Sequence, residues 1–334
     1  MRTKSRIEDV ALAAGVSTAT VSRAISQPDR VSAKTRDKVQ AIIQQLRYVP
    51  DAAGRALASG RTMTVGCVIP TLDLAIFARS THAMQLSFAK SGYQLLVASH
   101  NYDLGVEVDL VKAFQHRGVD ALVLVGSEHH AQMWASLKNW NKPALLTWVC
   151  SERLPSVGFD NPAIAGMATQ HLLALGHRKI GMISGHVAQN DRAAQRMEGF
   201  LGAMHAAGLP SQDIVCQQGL SIQGGRMGLR QLFANPDRPT ALLCGNDLLA
   251  IGALLEAQSM GLRVPEDLSI CGIDNHELAG EITPGLTTIS LPTRELGHIA
   301  AAQVLQLLAG EPVPQKSLLP FELVQRGSTA QLSS

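Results

Sequence analysis

The chain has 334 residues, 46% of them hydrophobic and 17% charged, with a formal net charge of +2 at pH 7. This balance excludes a disordered polyampholyte, and the length suits two or three domains, each with a sizeable core. No apolar run is long enough to span a membrane and none near the N-terminus reads as an export signal, so the expectation is a cytoplasmic chain with no membrane partner.

The charge is unevenly placed. Residues 1–61 hold 11 Lys/Arg against 5 Asp/Glu, a surplus of six, while the remainder carries a deficit of four. A module that faces phosphates concentrates charge in this way. Within it, Ile7 to Ile25 reads IEDVALAAGVSTATVSRAI. Ile7, Val10, Ala11 and Ala14 recur at helical spacing, Gly15 supplies a turn, and Val16 opens a second helix with Ser17 as its N-cap. Val16 and Val21 stand at the positions of a hydrophobic staple. With Val21 and Ile25 facing inward, Thr18, Ala19, Ser22 and Arg23 are left outward. Small residues at Thr18 and Ala19 allow close approach to a DNA groove, and Arg23 can offer a guanidinium to a guanine. A third helix, from Ser32 or Ala33 to Tyr48, sets Val39, Ile42, Ile43 and Leu46 inward and completes a head over residues 1–50, ended by Pro50.

Asp51 to Ser59, DAAGRALAS, is Ala-rich but short, contains Gly54 and has little apolar face beyond Leu57. The segment 51–61 reads equally as a plain linker or as a hinge that becomes helical only against DNA and a partner copy.

From Met63 strands alternate with helices. TVGCVIP, YQLLVAS, ALVLV and ALLTWV are separated by helices near Phe77 to Ser91 and Val106 to Arg117 and by one further helix. After Asp160 the alternation restarts with helices from Pro162 to Leu175, Ala193 to Ala207, Gly224 onward and Leu248 to Met260 among the strands KIGMIS, TALLCG and LSICGID, with another strand near Ile214. Thr293 to Leu308 reads as a last helix and Leu318 to Val324 as a last strand. This pattern predicts two α/β lobes with parallel sheets and a cleft between them, over residues 62–334: lobe one about 62–160 and 291–324, lobe two about 161–290. The five cysteines show no C-x-x-C pair and read as reduced core residues, so no metal or disulfide set is expected.

Ligands of such sheets gather at the carboxyl ends of strands. The polar residues there are Asp73, Asn190, Arg192, Asn246, Asp247, Asp274 and Asn275. Arg196 lies one turn beyond Arg192, and Phe77 and Trp148 can form apolar floors. Carboxylate and amide acceptors suit sugar hydroxyls, while paired arginines also suit a carboxylate or phosphate. No nucleophile elbow, Walker A sequence or dinucleotide fingerprint is present, so neither an enzyme nor a cofactor is expected. A solute-binding protein on the same scaffold is the alternative, though it would not carry a basic head.

Several motifs together carry a resemblance over nearly the whole chain: IEDVALAAGVSTATVSRAIS, VSAKTRDKV, YVP with Leu57 downstream, VGFDN, LLALGHRKIG, DRAAQRMEGF, CGNDLLAIGA, GLRVPEDLSICGID and TPGLTTI. They resemble the lactose-repressor (LacI/GalR) family of bacterial regulators, with the sugar-acid or gluconate-type branch as a side expectation. The resemblance implies an all-α helix-turn-helix head on a periplasmic-binding-protein-like two-lobed core. It implies a homodimer, or a tetramer, that acts at the nucleoid on double-stranded operator DNA under control of a small sugar, sugar acid or phosphosugar. Carried over residue by residue, Thr18, Ala19 and Arg23 read bases; Thr20, Ser22, Ser32 and Thr35 touch phosphates; Leu57 wedges into the minor groove. Asp73, Phe77, Trp148, Asn190, Arg192, Arg196, Asn246 and Asp274 line the effector cleft. Three positions depart from the family's pattern: Asp51 replaces the usual Asn, Gly54 weakens the hinge helix by roughly 1 kcal/mol relative to Ala, and Ser221 stands where many relatives place an aromatic.

Overall fold

The computed structural model describes residues 5–26, 28–49, 60–210 and 214–332. Residues 51–59 of the hinge expected over 51–61, Leu57 among them, lie outside the described residues. The chain divides after Met63 into two compact units.

In the first unit, α1 (Ile7–Ala14), α2 (Thr18–Ser26) and α3 (Ala33–Leu46) enclose the fully buried Val10, Ala14, Val21 and Val39. Each of these valines stabilises the unit by about 1.5–3 kcal/mol over an exposed one. The same local chemistry starts α2 and α3. Ser17 Oγ accepts from Thr20 N at 3.1 Å and Ser32 Oγ from Thr35 N at 3.4 Å, and in each pair the two hydroxyls lie 2.9 Å apart. Gly15, at φ 63°, ends α1 in the left-handed region that glycine adopts without strain. The second helix therefore opens at Thr18 rather than Val16, and the third stops at Leu46 because Arg47 turns to φ 50°.

The second unit holds two six-stranded sheets. Lobe one is ordered β11-β5-β4-β3-β1-β2, from β1 (Thr64–Ile69), β2 (Gln94–Ser99), β3 (Ala121–Val125), β4 (Ala144–Trp148), β5 (Ser156–Gly158) and β11 (Lys316–Leu318). Lobe two is ordered β12-β10-β9-β8-β6-β7, from β6 (Ile180–Gly185), β7 (Val215–Gln218), β8 (Ala241–Cys244), β9 (Ser269–Asp274), β10 (Thr287–Ser290) and β12 (Glu322–Val324). Every pairing is parallel except β12 on β10. The β-branched and leucine-rich runs of β1, β3 and β4 are buried on both faces, as parallel strands under helices must be. The connecting helices are α4 (Ala75–Lys90), α5 (Leu104–His116), α6 (Ala131–Lys138), α7 (Asn161–Ala174), α8 (Asp191–Ala206), α9 (Ile222–Phe233), α10 (Asp247–Ser259), the short α11 (Leu278–Glu281) and α12 (Thr293–Ala309).

Leu318 to Val324, expected as one strand closing lobe one, is instead two. β11 joins lobe one beside β5; the chain then passes Pro320, which cannot donate to a ladder, and β12 pairs with β10 in lobe two. Residues after β12 stay with lobe two, where Ser328 O accepts from Ile270 N and Ser328 Oγ from Thr287 N. The chain thus crosses between the lobes three times, after β5, after β10 and after β11. Of the five free cysteines four are buried, and Cys150 is half-buried.

Candidate functional site

In each lobe the sheet reverses its order of growth beside its first strand, at β1/β3 and at β6/β8, and ligands of open α/β sheets settle outside such switch points. The loops after these strands meet across the cleft. There a chamber of about 40 Å³ is lined by Phe77, Trp148, Asn190, Arg192, Arg196, Asn246 and Asp274, so seven of the eight residues expected in the cleft share one cavity. The eighth, exposed Asp73, lines an adjoining hollow of about 330 Å³ at the mouth, together with Tyr102, His186 and Gln218. Two capping asparagines aim the helices at the cavity: Asn190 Oδ1 accepts from Ala193 N at the start of α8, and Asn246 Oδ1 accepts from Leu249 N at the start of α10.

The floor is aromatic. Phe77 meets Trp148 edge-on at 5.1 Å, and Trp148 meets Phe159 at 5.8 Å. Trp148 holds φ 72° and Asp274 φ 113°, conformations that cost a non-glycine residue on the order of 1–3 kcal/mol and persist where surroundings enforce them. At Trp148 the enforcing partner is buried Asn161, whose Nδ2 donates to Trp148 O at 3.1 Å. Arg196 completes the chain of contacts: Nε donates to Asn161 Oδ1 at 3.1 Å and Nη1 to Gly245 O at 2.8 Å, while Asp274 Oδ1 lies 3.6 Å away.

Burial dominates the electrostatics. It pushes the Asp274 carboxyl up to about 6 against the opposing charge of Arg196, and the Asp247 carboxyl up to about 8, helped by the charge of Asp274. Asp247 is a buried brace, accepting from Thr288 Oγ1 and from His276 N, each at 2.6 Å.

Several residues of this region were missed in the sequence. Tyr102, Ser184 and Leu220 line the chamber, and Ser221 caps α9, its side chain accepting from Gly224 N. Asp191 and Ser127 bond across the cleft at 2.5 Å. Behind Ser127, His129 Nδ1 lies 2.9 Å from both carboxylate oxygens of buried Glu107 and His129 Nε2 lies 3.1 Å from Gly126 O, with Trp134 edge-on at 5.2 Å.

In the head, Thr18, Ala19 and Arg23 share the exposed side of α2, with Thr20 and Ser22 half-buried beside them; Ser32 is exposed and Thr35 half-buried at the start of α3. Among the described residues no helix is long and apolar enough to cross a membrane, and no group of three or more His, Cys, Asp or Glu could hold a metal ion.

Residues 6–51 match the family model of bacterial regulatory proteins, lacI family, and residues 169–329 match that of a periplasmic binding protein-like domain. The chain is 32% identical to the HTH-type transcriptional repressor CytR of Escherichia coli over 336 aligned residues, covering 99% of this chain and 98% of that protein. It is 33% identical to the HTH-type transcriptional repressor PurR of Escherichia coli, covering 97% and 96%. Among solved structures, the lac repressor dimer bound to operator and the anti-inducer ONPF superposes with a TM-score of 0.89 at 29% identity, covering 98% of this chain and 100% of that one.

Proposed function

The chain belongs to the lacI family of bacterial regulatory proteins, and from that membership we propose that it represses transcription by binding operator DNA as a homodimer, under the control of a small effector held between its two lobes. Thr18, Ala19 and Arg23 read base edges in the major groove, Arg23 through its guanidinium, while Thr20, Ser22, Ser32 and Thr35 contact phosphates and set the register. Leu57, in the segment between head and core, enters the minor groove and kinks the duplex. The effector is a carbohydrate-type molecule in the cleft formed by Asp73, Phe77, Trp148, Asn190, Arg192, Arg196, Asn246 and Asp274. The reaction is binding alone: the chain is not an enzyme, uses no cofactor and works in the cytoplasm on the nucleoid.

The observation that carries this reading is the pairing, in one chain, of an exposed small-residue and arginine face on α2 with a chamber at two sheet switch points. The test is selection of duplexes from a random-sequence pool by the full-length protein, followed by anisotropy titration of the selected duplex against a scrambled one. A selected duplex bound about 1,000-fold tighter than the scrambled one at physiological salt supports sequence-specific repression. Equal affinity for both removes it.

A further inference from the structure

The loop after β3 and the first turn of α8 meet around a single carboxylate. Asp191 Oδ2 accepts from Ser127 N at 2.5 Å, Ser127 Oγ at 2.9 Å and Glu128 N at 3.3 Å, while Asp191 Oδ1 accepts from Arg192 Nη1 at 2.6 Å. Four donors from both lobes therefore converge on one anion, and the Asp191 and Arg192 side chains are only 11% and 10% exposed. Gly126, at φ 91°, is part of the fit: a Cβ there would lie 2.3 Å from Arg192 Nη1 and 2.9 Å from Asp191 Oδ1, so the ion pair rests directly on the backbone. The loop is braced from behind by the Glu107–His129 pair, whose imidazole also bonds Gly126 O. Burial alone would raise the Asp191 carboxyl, yet Arg192 and the Ser127 and Glu128 donors bring it below the ordinary aspartate value.

Two successive amides, a hydroxyl and a guanidinium are the groups with which proteins hold the carboxylate or phosphate of a ligand. Here the chain supplies the anion itself. The other arginine of the chamber is also committed, to Asp274, Gly245 O and Asn161 Oδ1. What the chamber leaves open includes an acceptor: Asp274 Oδ1, buried 3.6 Å from Arg196 Nη1, has no hydrogen-bond partner, and neither has Ser184 Oγ, which can donate or accept. A carboxylate needs a donor, which a hydroxyl or amine gives and an anionic group does not.

We infer that Asp191 is a specificity-determining residue: it fills an anion cradle formed by Ser127, Glu128 and Arg192, so the cleft rejects carboxylate and phosphate ligands and takes an uncharged molecule rich in hydroxyl or amine donors. This rests on the reading of the cleft as the effector site and narrows it, setting aside the sugar acid and phosphosugar among the expected effectors.

The probe is sodium acetate, which carries the group that Asp191→Ala removes. Full-length wild type, Asp191→Ala and the double variant Asp191→Ala/Arg192→Gln are melted in acetate and in chloride at equal ionic strength. Wild type should be indifferent. Asp191→Ala should melt lower in chloride and recover saturably in acetate, by about 2–4 °C at ten times the dissociation constant, and the double variant should lose that recovery. Wild type stabilised by acetate, or a folded Asp191→Ala blind to it, overturns the inference. If Asp191→Ala does not stay folded in chloride, refolding from urea decides: folding in acetate alone supports the cradle, and failure in both salts overturns it. The assay uses neither operator nor effector. A failed rescue with operator binding intact therefore removes the cradle and leaves the repressor reading, while a wild type that binds no operator removes that reading whatever acetate does.

Discussion

The Nε of Arg196 donates to Oδ1 of Asn161 at 3.1 Å, joining the first turns of α8 to the start of α7, where the chain has just crossed from lobe one. The amide nitrogen of the same asparagine fixes the carbonyl of Trp148, so one buried side chain links the charged wall of the cleft to its aromatic floor and to an interlobe crossing.

Replacing Asn161 by Ala leaves the Trp148 carbonyl and the Arg196 guanidinium each short of a buried partner. The expected loss is about 1–3 kcal/mol of stability, read as a lower urea midpoint with an unchanged slope. A midpoint equal to wild type would show that the link is incidental.

Arg23→Ala should cost about 1–3 kcal/mol on the selected operator and relax preference at one position, whereas Ser22→Ala should weaken specific and scrambled duplexes alike. Anisotropy on a set of single-base operator variants separates the two. Equal losses for Arg23→Ala on every sequence would contradict base reading.

His177, buried at the end of α7, is 2.9 Å from Thr240 Oγ1 through Nδ1 and 3.1 Å from both Ser269 Oγ and Ala330 O through Nε2. Burial lowers its pKa, against the bond to Ala330 O that raises it. A histidine with a depressed folded pKa binds fewer protons folded than unfolded, so its stabilisation is present above the ordinary histidine value and is lost as pH falls through it. Urea midpoints taken between pH 7.5 and 5 should fall, and the slope should shrink in His177→Gln. An unchanged slope would assign the effect to other groups.

Asp247 gives the opposite sign. Its carboxyl, pushed up to about 8 by burial and then by the charge of Asp274, binds its proton more tightly folded than unfolded. The contribution is complete below the ordinary aspartate value and declines as pH rises from about 4 to about 8. Asp247→Asn should flatten this part of the stability profile, leaving the variant relatively better at pH 8 than at pH 5. A variant with the wild-type profile would place the titration elsewhere.

Operator and effector, once identified, must influence each other equally, by a coupling typically of 1–3 kcal/mol. Arg196→Ala should reduce that coupling by disordering the Asn161 link and freeing Asp274, while leaving the affinity of the effector-free protein for operator unchanged. If the variant couples as strongly as wild type, Arg196 is no part of the response.

How far the sequence reached depends on the range of the interaction concerned. In the head, Ser17 and Ser32 cap amides three residues on, Gly15 turns where only local backbone sterics matter, and Val10, Val21 and Val39 each sit on an apolar stripe at helical spacing within their own helix. Such features are written within a few consecutive residues. The parallel lobes and the placing of Asn190, Arg192, Asn246 and Asp274 at strand ends followed in the same way, because continuous apolar strands between helices admit few arrangements.

The tertiary structure alone decided how those groups are used. Arg192 reads as a cation available to a ligand until Ser127, 64 positions away from Asp191, is seen to pin the carboxylate that neutralises it. Asn161 has no evident role in the sequence until α7 and β4 set its amide against the Trp148 carbonyl at a crossing. Leu318 to Val324 carries one apolar pattern, and only the separation of two sheet edges divides it between lobes. Local spacing fixes which residues point inward. Whether a buried charge is free or already paired depends on which loops the folded lobes bring together, since Coulomb energy and hydrogen bonding act over ångströms of space and not along the chain.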